Sequence, residues 1–243
     1  MHVATCTQYD WMHLYLEGGL LDLELGLVIK HLHQSTQRRG VTTVSYCTLG
    51  EYVGRWKWPK VAPHVEQLFD ETANNKNLKN EAFSSSASEL LTLAPVLASF
   101  FSAIVAPMGI CSAAVACIIA LLNVVELLAT VKRGIVSPRQ LLTAILEHLR
   151  RFLDVYGRGR WKPKHHYALH LPLMLARFGM LVACFTHERK HRVLKRYMRS
   201  RLNNKKFEAS CLEDVTIQHL EDLLQEWRYT EESLHESRDI REC

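Results

Sequence analysis

From Ile110 to Ala129 the chain runs twenty residues with a single charge, Glu126. At about 1.5 Å per residue this matches the roughly 30 Å hydrocarbon core of a bilayer. The run must therefore be either a membrane span or a helix enclosed by protein. Asn123 and Glu126 lie inside it, where polar groups facing lipid are costly. No belt of Trp or Tyr flanks it, and Ser112, Ala113, Ala114 and Ala116 suit close helix–helix packing. Pro95 and Pro107 are expected to break the apolar sequence before it. The run is read as buried core helix in a mainly α-helical chain. No membrane is expected as a partner, and a span near 110–129 is the third-ranked reading.

The rest of the chain supports a helical class. With 48% hydrophobic and 23% charged residues it has a globular composition. Leu16, Leu20, Leu23, Leu27 and Leu32 recur at near-helical spacing and predict a helix over 10–33, kinked at Gly18 and Gly19. Residues 44–59 fit either a short strand or an irregular segment, and residues 70–88 read as a solvated loop. Ser86 and Glu89 have capping-box spacing. Ser137-Pro138 marks a helix start, Leu141, Leu142, Ile145, Leu149, Phe152 and Leu153 form its stripe, and Gly157 ends it. Pro163 predicts extended chain over 158–164, followed by a helix over 165–177 and a turn at Gly179. Met180–Thr186 reads as a buried strand or a helix start, and His187–Leu202 as helical. Residues 1–206 are taken as one helical domain, and residues 207–243 as an acidic C-terminal helix and tail.

Charge is distributed unevenly. Residues 150–206 hold 16 of the 30 Lys/Arg and only 2 of the 25 acids, Asp154 and Glu188, for a net +14, while the remainder of the chain is −9. That asymmetry points to a polyanion such as DNA; the alternative is a basic surface that pairs with the chain's own acids. Seven scattered cysteines, and a start with neither a cationic nor an apolar leader, suggest a reducing, intracellular setting. The apolar, aromatic start also reads like the interior of a longer protein.

Three groups of residues could carry chemistry. On a helix from His187, Glu188 shares a face with Arg192, Lys195 and Arg199, with Arg189 and Arg196 beside them. An exposed Glu188–Arg192 pair worth about 0.2–0.5 kcal/mol explains this spacing as simply as a metal-binding acid among phosphate-gripping cations. His166, His170, Cys184, His187 and His191 include a C-x2-H-x3-H pattern, but a zinc site made from them is disfavoured because no paired cysteines accompany it. Asp10, His13 and Glu17 fall on one helix face. No phosphate-binding glycine loop, nucleophile elbow or CxxC pair is present in the sequence.

Two stretches resemble a known family. DWMHLYLEGGLLDLELGLVIKHL resembles the D-x-M-H-x-x-x-E-G block of CACTA-like, transposon-derived transposases, and KPKHHYALHLPLMLARFGMLVACFTHERKHRVLKRY resembles their later block. The resemblance spans about residues 6–200. It implies the late part of an RNase H-like DDE catalytic domain: a helical-bundle-like insertion plus a remnant of the α/β fold, nuclear and DNA-binding. Such enzymes use two Asp and one Glu around divalent metals, so Mg²⁺ is implied for a complete enzyme. Asp10 and His13 match the signature that follows the second catalytic Asp. Glu188 is the candidate family acid and metal ligand, with Glu17 as runner-up. Lys162, Lys164, His165, His166 and His170 match the later block, in backbone contact or packing. The strands carrying the catalytic Asp residues are expected upstream, which suggests a chain that is inactive alone and depends on another for the missing half. A non-catalytic helical nucleic-acid-binding module is the second reading.

Overall fold

The computed structural model describes residues 8–39, 44–58 and 65–185, together with positions 213, 216, 217, 220 and 221, which are helical. The chain divides into two compact units, Met1–Phe185 and Thr186–Cys243. The first unit is mainly helical, and the described residues contain no strand.

A central helix organises the first unit. The predicted helix over 10–33 is two helices, α1 (Trp11–Tyr15) and α2 (Leu20–Arg39). Gly18 takes φ +54°, the left-handed turn that separates them. Leu20, Leu21, Glu24, Leu25, Leu27, Val28, Ile29 and Leu32 of α2 are all buried, so this helix is enclosed on nearly every side. Gly26 permits one of its closest approaches. A Cβ there would fall 2.5 Å from the Ala82 Cα, in the turn after α4 (Glu71–Asn80).

Several predicted loops are helical. The segment expected as short strand or irregular chain is α3 (Tyr46–Val53), started by a Ser45–Thr48 capping box. The expected solvated loop at 70–88 contains α4, because Asp70 caps it by accepting from the Ala73 N–H. Asn74 and Asn77 are buried on its inner face, where polar composition hides burial from a hydropathy reading.

The Ser86–Glu89 capping box does open α5 (Ala87–Ser99). Pro95 does not break it, contrary to expectation. The proline lies on the exposed side, where solvent can take up the carbonyl hydrogen bond its missing N–H forgoes. The chain continues through a π-helical turn, Phe100–Val105, and a 3-10 turn containing Pro107. The apolar run is α6 (Ser112–Thr130), which packs against α2, α5 and α7 (Pro138–Tyr156). Ala87–Met108 and Ser112–Arg133 are each long and apolar enough to cross a bilayer. The exposed positions of α6, however, are Ser112, Ala113, Asn123, Glu126 and Ala129, a small and polar face suited to water.

Helix α7 starts at the Ser137 capping box and stops at Gly157 as predicted. Its buried stripe is Leu141, Ile145, His148, Leu149 and Phe152; Leu142 and Leu153 are exposed, and a histidine occupies the stripe instead. Residues 158–160 form a 3-10 turn where extended chain was expected. Pro163 opens α8 (Pro163–Ala168) after an extended Lys162. The helix predicted over 165–177 is divided at Leu169 and His170, with α9 (Leu171–Phe178) beginning anew at Leu171 and carrying Pro172 in its first turn. Residues 181–183 form neither helix nor strand.

Candidate functional site

The two stretches that carry the family resemblance meet in space. Asp10 is the N-cap of α1, its Oδ1 accepting from the Met12 N–H at 3.0 Å. The same oxygen accepts from the Cys184 N–H at 3.2 Å, across 174 residues, and Oδ2 pairs with His13 Nδ1. Beside it the Trp11 N–H donates to the Val182 carbonyl at 3.2 Å, and Trp11 meets the edge of Phe185. The segment after α9 is thus fastened along the start of α1.

Lys164 closes the other end of α1. Its Nζ donates to the carbonyls of His13, Gly18 and Glu17, the last at 3.3 Å. A cation at these carbonyls satisfies groups that the helix end leaves unpaired and complements its dipole. Partial burial lowers the pKa of the Lys164 ammonium, opposed by the nearby carboxylates of Asp22 and Glu17. Asp22 lies beneath, buried, and desolvation pushes its carboxyl up to about 7 despite N–H groups from Gly18 and Gly19. Tyr9 stacks on Tyr167 at 4.9 Å and on His170 at 5.4 Å, and His166 meets the edge of His170.

The expected residues separate into distinct environments here. His165 is fully buried, stacked on Trp161 at 4.6 Å and against Phe152 at 4.2 Å. Its Nδ1 accepts from the Lys162 N–H at 2.9 Å, and burial pushes its pKa down to about 4, so the ring is neutral. That gives His165 a packing role and removes it from any nucleic-acid surface. Lys162, His166 and His13 are exposed, and Glu17 is half-buried. Glu188, Arg189, Arg192, Lys195, Arg196 and Arg199, with His187 and His191, lie outside the described residues.

The basic segment partly serves its own fold. Among its seven described cations, Arg150 and Arg151 pair with Glu147, Arg160 pairs with Glu81, and Lys164 holds α1. Lys162, Arg158 and Arg177 are exposed.

A second constellation escaped the sequence reading. Glu24 on α2, Cys117 on α6 and His148 on α7 converge in the core, each at most 1% exposed. The Cys117 thiol donates to Glu24 Oε1 at 2.9 Å, and His148 Nε2 lies 2.8 Å from Glu24 Oε2. Burial, reinforced by the Glu24 carboxylate, drives the Cys117 thiol upward, as it does the hydroxyls of Tyr15 and Tyr156. One signal was present in the sequence: each of the three is a possible metal ligand within a mostly apolar helix face. Among the described residues this is the grouping of metal-ligating side chains that comes together, and none of the five residues weighed for zinc belongs to it.

No family model matches the chain, and no curated protein or solved structure matches it either.

Proposed function

We propose that the chain is a helical, DNA-binding part of a DDE-type transposase-like protein acting in the nucleus, with strand transfer left to an assembly that supplies the other catalytic acids. The observation carrying this reading is the closure of the two resemblance stretches on one another, through Lys164 to His13, Glu17 and Gly18, through Asp10 to Cys184, and through Tyr9 to Tyr167. Stretches far apart in sequence form one unit, as the parts of an inherited module would. The finer fold assignment, a remnant RNase H-like domain bearing a helical insertion, belongs to the same proposal.

Phosphate contact is assigned to Lys162, His166, Arg189, Arg192, Lys195, Arg196 and Arg199, since Lys164 and His165 are occupied in the fold. Backbone contacts of this kind position the protein on DNA and make binding steeply salt-dependent. Asp10 does not fit a Mg²⁺ ligand, because its oxygens already take the Met12 and Cys184 N–H groups and His13. Glu188 remains the candidate acid, ahead of Glu17. The engagement of Asp10 also favours the second reading, a non-catalytic nucleic-acid-binding module.

A DNA-binding titration of the purified chain across a salt series, with and without Mg²⁺, tests both, beside Glu188→Gln. Binding that weakens with salt, and that Mg²⁺ strengthens only in the wild type, supports the transposase reading. Salt-dependent binding indifferent to Mg²⁺ and to the substitution selects the plain module. Absence of binding at low salt overturns both and returns the +14 segment to an intramolecular role.

A further inference from the structure

We infer that Glu24, Cys117 and His148 form a buried zinc-type metal site that ties α2, α6 and α7 together. The three ligand atoms lie within 4.8 Å of one another, and each comes from a different helix. Sites in helical bundles are built in this way, from side chains on facing core helices. The donor set, one thiolate, one imidazole and one carboxylate, suits Zn²⁺ and excludes the all-oxygen preference of Mg²⁺. Metal–ligand bonds of about 2.0–2.3 Å would lengthen the Glu24–Cys117 and Glu24–His148 contacts by about half an ångström.

A second observation points to a ligand at this place. Tyr15 is fully buried and Tyr156 partly so, Tyr156 packing against the cluster that holds Cys117, and the hydroxyl oxygens of both are buried without a hydrogen-bond partner. Buried hydroxyls are rarely left so, and unpartnered ones in the core beside Cys117 suit a polar or ionic guest there. Metal entry would release the Cys117 thiol proton to solvent, leaving a thiolate on the ion, with no change of oxidation state. The site is independent of the DNA-binding proposal.

Cobalt(II) titration of the full chain, after chelator treatment, is the test. One Co²⁺ per chain with a thiolate charge-transfer band is expected. Cys117→Ser should abolish the band and weaken uptake about 100-fold or more, while Cys184→Ser leaves both unchanged. Because Cys117→Ser could disturb the core, X-ray absorption of the wild-type zinc form supplies a reading without mutation. One sulfur with two or more nitrogen or oxygen ligands sustains the site. No stoichiometric uptake, a band that survives in Cys117→Ser, or a sulfur count other than one overturns it, leaving a hydrogen-bonded triad only.

Discussion

Among the described residues, two carboxylate–imidazole pairs stand in opposite settings. Asp10 and His13 are three residues apart at the surface, with side chains 16% and 48% exposed. Glu24 and His148 are 124 residues apart and 0–1% exposed. The first is written into one turn of helix and is legible in sequence as a motif. The second exists only once α2 and α7 have packed. Their chemistry is alike, but water screens one and not the other, so their energetic weights should differ severalfold.

The strongest way to break this comparison is Glu24→Ala. It strands His148 and the Cys117 thiol in the core, and urea unfolding should show a loss of about 3–5 kcal/mol. Replacing Glu24 and His148 together by leucine should recover much of that, since both partners leave at once. A cost of Glu24→Ala below about 1 kcal/mol would mean the burial contrast carries no energetic difference.

Protonation should sharpen the contrast next. Asp22 holds its proton in the fold up to about pH 7 but in the unfolded chain only to about 3.8. Its contribution is therefore full below pH 3.8 and is lost as pH rises through 7, a swing on the order of 4 kcal/mol. His165 acts in reverse. Its folded value of about 4 lies below the unfolded 6.5, so its contribution is full above 6.5 and is lost as pH falls toward 4. Thermal melts of Asp22→Asn should lose the decline on the neutral side, and those of His165→Phe the decline on the acid side; unchanged pH profiles would contradict the assigned burial.

Smaller effects belong to the surface junction. Lys164→Met leaves the carbonyls at the end of α1 without their cation and should cost about 1–3 kcal/mol, read by chemical denaturation. A double-mutant cycle on Asp10 and His13 should give a coupling of only about 0.2–1 kcal/mol, shrinking with salt. A coupling as large as that of Glu24 with His148 would erase the distinction.

Local chemistry was readable along the chain. Ser86–Glu89, Ser137-Pro138, Gly157 and the Gly18 break act within a few residues of themselves, so their spacing states their geometry. The loop assignment at 70–88 failed for a related reason. Its helix is polar and buries Asn74 and Asn77 on its inner face, where Asn74 also reaches the Cys47 sulfur on α3, a contact made only by packing. Pro95 failed as a breaker because the side of the helix it occupies depends on what α5 packs against.

The chain's sequence alone determined its helical class, several helix caps and the clustering of positive charge, because these depend on neighbours within a few residues. Tertiary structure alone decided that Lys164 is a helix clamp, that His165 is a core residue, and that Glu24, Cys117 and His148 meet. Those outcomes depend on contacts between residues far apart in sequence, and burial, which sets their charge and partners, follows from packing that no local pattern encodes.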